Sequence, residues 1–163
     1  MLDKTLTYRP LTENDILAVS ELVARVFNEF VASEYSSEGV QEFHRYIQPS
    51  ALRARAQTNH FSLISLEQDK VVGMIEMRGH NHVSLLFVAP EFQRRGIAKE
   101  LLHQALQICR ANEPRLSTIS VNSSAYAVPI YERLGFRRAG ERQVRNGIGF
   151  LPMLLKLPNQ PDG

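Results

Sequence analysis

Between Phe61 and Val88 the chain carries three short apolar, β-branched runs, FSLISLEQ, KVVGMIEMR and HVSLLFV, with tight turns at Gln68-Asp69-Lys70 and Arg78-Gly79-His80-Asn81. Connections this short join neighbouring antiparallel strands, so the stretch commits the chain to a three-stranded meander. Ala89-Pro90 ends the third run. From Gly96 to Ala111 the period changes, and Ile97, Leu101, Ala105, Ile108 and Cys109 share one helical stripe. STISVN then reads as another strand. A strand, a helix and a second strand in that order form a right-handed crossover between parallel strands. The sheet is therefore mixed, antiparallel on one side with a parallel unit at its centre.

Ahead of the meander, Thr12 opens a Thr-Glu-Asn-Asp box, a helix-start signature. Ile16, Val19, Val23, Val26, Phe27 and Phe30 follow at helical spacing, so residues 13–31 read as an amphipathic helix. VASEYSSEG is irregular, a second helix runs from Glu38 to Ile47, and Pro49-Ser50 punctuates before a short third helix in ALRARAQ. Beyond STISVN, AYAVPIYERL predicts a helix stopped by Gly135, and two more strands run through FRRAGERQV and IGFLPMLLKL. The expected order is helix, helix, three strands, helix, strand, helix, two strands. That is an α/β fold: a single domain over residues 1–157, its mixed, mostly antiparallel sheet flanked by helices, with 158–163 as a flexible tail.

A chain of 163 residues with 44% apolar and 22% charged residues is long enough for one domain with a real core, and excludes disordered, collagen-like and coiled-coil classes. One cysteine, Cys109, forms no internal disulfide and lies on the apolar stripe, as expected of a core thiol in a reducing compartment. The N-terminus has no apolar leader segment and no stretch is long enough to span a bilayer, so a cytoplasmic protein with no membrane partner is expected. Net charge is +2, but residues 1–50 balance to −4 and residues 91–145 to +5. Such a division suits a ligand pair of opposite charge, a cationic amine and a polyphosphate. Glutamates interleave the arginines and no run of aromatics accompanies them, which argues against nucleic acid.

Two stretches carry the chemistry. In HVSLLFVAPEFQRRGIAKELLHQAL a strand turns into a helix whose first residues are Gln93-Arg94-Arg95-Gly96-Ile97-Ala98. Unpaired N–H groups at a helix start hold anions, the small Gly96 and Ala98 let phosphate oxygens approach, and Arg94 and Arg95 add charge. No Gly-Lys-Ser/Thr follows, and Gly-x-Gly-x-x-Gly is absent. In VNSSAYAVPIYERLGF a strand ends at polar Asn122, Ser123 and Ser124, and a helix carries Tyr131.

Strand–Gln-x-x-Gly-x-Ala–helix followed by strand–Asn–helix–Tyr-x-x-x-Gly-Phe resembles the GNAT superfamily of acetyl-CoA-dependent N-acyltransferases, over residues 60–157. Ala98 stands where that family often has glycine, and the loop after STISV is about one residue shorter than usual. The resemblance implies acetyl-CoA as co-substrate, no metal, and direct acetyl transfer to a small-molecule amine or peptide N-terminus in a ternary complex. The N–H groups from Arg94 to Ala98 would cradle the pyrophosphate, with Gln93 opening the loop. Leu86, Phe87 and Val88 backbone would pair with the pantetheine arm, the Leu86 N–H also stabilising the oxyanion. Asn122 or Ser124 would supply a polar contact, and Tyr131 would protonate the departing thiolate. His82 falls at the strand position that often supplies the base; unbroken alternation puts it on one face with Ser84, Leu86 and Val88. Glu76 is the second candidate. Glu29, Glu34 and Tyr35, between the first helices, would receive a cationic acceptor. The alternative is the same fold binding acyl-CoA without catalysis, as a sensor or interaction module. The apolar FLPMLLKL would suit a homodimer.

Overall fold

The computed structural model describes residues 5–159. Its elements are β1 (Leu6–Pro10), α1 (Ile16–Phe30), α2 (Ser37–Tyr46), α3 (Pro49–Ala56), β2 (His60–Glu67), β3 (Lys70–Arg78), β4 (His82–Val88), α4 (Ile97–Asn112), β5 (Thr118–Ser123), α5 (Val128–Arg133), β6 (Arg137–Arg138), β7 (Gln143–Arg145) and β8 (Ile148–Lys156). The sheet order is β1-β2-β3-β4-β5-β8-β6, with β7 also paired to β8. Among the described residues β4–β5 is the parallel pair and every other pairing is antiparallel. The meander and the central crossover unit are thus as the turn lengths predict.

Three expectations change. The sequence reading has no strand before the first helix, yet Leu6–Pro10 pairs with β2 from Glu67 to Leu63. Five residues carry too little alternation to declare a strand; the open edge of β2 supplies the backbone partners that make it one. FRRAGERQV is two short strands, not one, because the chain breaks between Arg138 and Gln143 and each piece pairs with a different part of β8. Pro49 opens α3 rather than separating it from α2, at a position where its missing N–H costs nothing. The tail can be followed to Asn159, and the Pro158 carbonyl accepts a bond from the Arg110 guanidinium; residues 160–163 lie outside the described residues.

The box at Thr12 forms as spaced. Asp15 accepts the Thr12 amide at 2.8 Å and hydroxyl at 2.7 Å, and Arg9 grips the same carboxylate at 2.7 and 3.0 Å. Helices cover both faces of the sheet. On one, Ile75, Met77, Val83 and Ile119 pack with the α4 stripe of Ile97, Leu101, Ala105 and Cys109. On the other, Ile64, Met74 and Leu85 pack with Ile16, Val19 and Val23 of α1 and Leu52 of α3.

One glycine sets how close α4 comes to the sheet. A Cβ at Gly73 would lie 2.6 Å from Ser65 Oγ and 3.0 Å from Ile97 Cγ2, so the first turn of α4 seats directly on β3. Gly73→Val is expected to lower stability by about 1–3 kcal/mol through overpacking. Urea denaturation checks this: the midpoint falls while the slope is unchanged.

Candidate active site

β4 and β5 pair only at His82↔Ser120 and Val83↔Val121, then part. The cause lies one strand away. On β3 Met77 pairs with Val83 but Glu76 pairs with Leu85, so Ser84 is an extra residue in β4. Such a bulge bends its strand and increases its twist. From Ser84 to Val88 the edge of β4 that turns toward β5 has no ladder partner there, leaving backbone N–H and C=O groups facing a cleft of about 700 Å³.

The bulge also corrects the expected alternation. Ser84 and Leu85 lie on the same face, toward α1: Ser84 bonds to Glu76 and Leu85 packs in the α1 core. Phe87 follows them, whereas Val83, Leu86 and Val88 belong to the α4 side. His82 therefore shares a face with Ser84 but not with Leu86 and Val88.

One wall of the cleft is the start of α4. Arg94 and Gly96 both have positive φ, 65° and 80°, and the first helical bond runs from the Glu100 N–H to the Gly96 carbonyl. The N–H groups of Ile97, Ala98 and Lys99 thus have no carbonyl within the helix and point out of its end. A Cβ at Gly96 would meet nothing within 4 Å, so the left-handed backbone, not crowding, favours glycine there. Gln93 spans the opening, its amide donating to the Val88 carbonyl at 3.2 Å and its Oε1 accepting from the Tyr126 hydroxyl at 3.5 Å. Arg94 and Ile97 line the cleft with Gly96 and Ala98. Arg95 turns away, over the Phe92 ring and 3.6 Å from Glu67.

The facing wall is the β5–α5 turn. Asn122, Ser123 and Ser124 all line it, and the Ser124 hydroxyl accepts the Ala127 N–H at 3.2 Å. Tyr131 lines it as well, its ring edge-on to Phe136 with centroids 5.3 Å apart. Burial raises the Tyr131 phenol well above its ordinary range. Among the described residues, Arg94, Lys99 and Arg133 are the charged side chains on the cleft surface, all basic.

The α1–α2 side is aromatic. Phe27 stacks on Phe43 at 4.0 Å and meets Tyr35 edge-on at 5.3 Å, and Phe43 leans on Phe87 at 6.1 Å; all four line the cleft. Burial, with Glu34 adding to it, raises the Tyr35 phenol to about 12. Glu34 is not a free carboxylate. It accepts the Ala125 and Tyr126 N–H groups, each at 2.9 Å, and so ties the α1–α2 connection to the β5–α5 loop. Phe30 stacks on Tyr126 beside it at 5.0 Å. Glu29 is exposed and outside the lining.

The two candidate bases sit differently. His82 is buried outside the lining, its Nδ1 2.7 Å from Ser120 Oγ, and burial with Arg78 nearby lowers its pKa to about 4. Glu76 is 2% exposed and reaches the cleft through Ser84, whose hydroxyl donates to Oε1 at 2.6 Å. Arg55 Nε lies 3.1 Å from the same carboxylate, and its guanidinium stacks over the Tyr46 ring at 3.6 Å. Sequence reasoning missed Phe27, Phe43, Tyr46, Arg55 and Tyr126. Phe27 carried a signal, a helix-stripe position, but that signal reads as core.

An unpaired strand edge beside the open N–H groups of a helix start answers to the pantetheine edge and pyrophosphate cradle that the sequence resemblance implies. The acetyltransferase (GNAT) domain model matches residues 31–157, and the chain belongs to that family. A peptidyl-lysine N-acetyltransferase, YjaB of Salmonella typhimurium, is 32% identical over 78 residues, 48% of this chain and 50% of that one. The Escherichia coli YjaB is 26% identical over 117 residues, 72% of this chain and 70% of that one. The chain thus spans about half the length of the first of these relatives. A GCN5-related N-acetyltransferase from Rhodopseudomonas palustris superposes with a TM-score of 0.81 at 20% identity, over 96% of this chain and 99% of that one. The PaiA N-acetyltransferase of Thermoplasma acidophilum, solved with coenzyme A, gives 0.77 at 18% over 93% and 99%. At these identities the superpositions establish a common fold. No helix among the described residues is long and apolar enough to cross a membrane.

The buried His82 carries a pH signature. Its folded pKa, about 4, lies below the ordinary histidine value, so the unfolded chain binds the extra proton first as pH falls. Its contribution is fully present above pH ~6.5 and is lost on the way down to pH ~4, a fall of about 1–3 kcal/mol. Denaturant unfolding at pH 7 and 4.5 measures it, and in His82→Gln the fall between the two is smaller by that amount.

Proposed function

We propose that the protein transfers the acetyl group of acetyl-CoA to a primary amine by direct attack in a ternary complex. The observation that carries this reading is the parted edge of β4 facing the N-terminal turn of α4 across one cleft. A pantetheine arm has amides spaced to pair with the cleft-facing groups of Leu86 and Val88 as an added strand does; those of Phe87 face β3, in register with the Ala89 N–H that donates to the Val72 carbonyl. The N–H groups at the start of α4, with Arg94 beside them, suit a pyrophosphate, and Lys99 and Arg133 extend the basic wall. The thioester supplies an activated acetyl carbon. The Leu86 N–H stabilises the oxyanion that forms on it, and Asn122 or Ser124 supplies a polar contact from the β5 side.

Tyr131 gives a proton to the departing thiolate. Burial keeps this phenol protonated across the working pH range, so the proton is present whenever the C–S bond breaks. For the base, support lies with Glu76, which Ser84 links to the cleft, rather than with His82, whose ring bonds to Ser120 behind it. Direct transfer is favoured over an acyl-cysteine route because Cys109 is fully buried on the α4 stripe, where burial pushes its thiol up to about 11.

Tyr131→Phe is expected to lower turnover about 10²–10⁴-fold, the usual range for losing a proton donor, with acetyl-CoA affinity nearly unchanged. Thiol release and calorimetry check the two halves; unaltered turnover removes Tyr131 from the reaction. Gly96→Asp puts a carboxylate in front of the α4 N–H groups and is expected to abolish acetyl-CoA binding, whereas neutral Gly96→Asn, of the same shape, retains part of it. Equal affinities in those two variants would sink the pyrophosphate assignment.

A further inference from the structure

The two faces of β4 divide the cleft. Leu86 and Val88 lie toward α4 with the basic wall, while Ser84, Leu85 and Phe87 lie toward α1 and α2 with the aromatic one. Among the described residues no Asp or Glu lines either part. The carboxylates expected to receive a cation do not face it: Glu34 is spent on two backbone N–H groups and Glu29 stands outside.

Among the described residues one carboxylate reaches the aromatic side, Glu76 through Ser84, with Arg55 paired to it from behind. Ser84 donates its single hydroxyl hydrogen to Glu76 Oε1 at 2.6 Å. The Tyr46 hydroxyl, 2.6 Å from Ser84 Oγ, must then be the donor of that pair and occupies one of the two Ser84 lone pairs. One lone pair is left on a hydroxyl that lines the cleft, backed by a buried carboxylate. It is an acceptor for an N–H, polarised by the charge behind it. Arg55 holds that carboxylate in place through Nε at 3.1 and 3.3 Å and donates to the Tyr46 carbonyl at 2.7 Å.

We infer that the acceptor entering the α1–α2 side of the cleft, where the family resemblance already places it, is a small primary amine with one positive charge on an aromatic or other apolar body, its ammonium received by Ser84 over Glu76. This rests on the acetyl-transfer reading and narrows it. Tyr35, Phe43 and Phe87 present ring surface to the body of the acceptor, with the fully buried Phe27 packed behind Tyr35 and Phe43. A second ammonium on that body would meet no carboxylate of the described residues on the cleft surface, and a desolvated, unpaired cation is costly. The Glu34 tie and the Phe30–Tyr126 stack join the α1–α2 connection to the β5–α5 loop, which favours a compact acceptor over a threaded polypeptide. On reaction the ammonium passes one proton to Ser84 Oγ as the Ser84 proton passes to Glu76. The ammonium and the carboxylate become a neutral amine and a neutral carboxylic acid, with the Arg55 guanidinium still bonded to the Glu76 oxygens and stacked on Tyr46. The freed lone pair attacks the acetyl carbon. As the C–S bond breaks the thiolate takes the Tyr131 proton, and the surplus proton on nitrogen returns to Tyr131.

The test is thiol release from acetyl-CoA by the full chain with three amines: 2-phenylethylamine, spermidine and an N-terminally blocked lysine peptide. The expected result is kcat/KM for 2-phenylethylamine on the order of 100-fold above spermidine, the scale of leaving a charge unpaired in an apolar site, and also above the peptide, whose single ammonium is carried on a backbone that the tied loops exclude. Spermidine or the peptide used as well or better overturns this inference while leaving acetyl transfer standing; release with none of the three overturns both. Ser84→Ala is expected to raise KM for the favoured amine about 10- to 100-fold with KM for acetyl-CoA within about twofold. Ser84→Thr, which keeps the hydroxyl, is expected to restore most of it. An unchanged amine KM in Ser84→Ala, or no recovery in Ser84→Thr, removes Ser84 from the acceptor site.

Discussion

The parting of β4 from β5 after two paired residues is the constraint on which the rest of the molecule turns. A parallel pair that stayed zipped would satisfy its own backbone and leave nothing for a ligand. Here a single extra residue, Ser84, bends β4 while the β3 ladder still holds it from Gly73↔Val88 to Arg78↔His82. The strand is rigid on one edge and free on the other. Free backbone groups on a rigid strand are pre-organised, so a ligand that pairs with them has little ordering entropy to overcome.

Other features position what faces that edge. Gly73 lets the first turn of α4 sit on the sheet, which brings its open N–H groups to the cleft. Gln93 bridges from the last carbonyl of β4 to Tyr126, and Glu34 bridges from the α1–α2 connection to the same loop. The walls are thus joined by polar contacts at two points across a region where the sheet itself offers none. These side chains hold the shape of the site, and the site's electrostatics follow from which of them face inward: basic near α4, uncharged and aromatic near α1.

Much of the fold was legible because it rests on local rules. Short turns forced the meander, the change of period marked α4, and the glycine after Arg95 marked its start. The Gln93–Ala98 turn was legible for the same reason, a glycine at a helix start, whereas Tyr131 stood out only through the family resemblance; both line the cleft. The failures are non-local. β1 exists because β2 has a free edge. The face of His82 could not be read because a bulge depends on the register between two strands, and an alternation count assumes none. The acidic reading of Glu29 and Glu34 failed because one carboxylate was claimed by backbone amides ninety residues further along and the other faces away.

The sequence by itself determined the α/β class, the central crossover, the helix start at Gly96 with its open N–H groups and the core position of Cys109, each encoded within a few residues by periodicity, turn length or glycine placement. Only the tertiary structure decided which charges face the cleft. It joined Glu76 of β3, Ser84 of β4, Tyr46 of α2 and Arg55 of α3 into one hydrogen-bonded group, drawn from four elements whose proximity no spacing announces. A hydrogen bond depends on distances of a few ångströms set by the packing of whole elements, and that packing is a property of the folded chain rather than of any one segment.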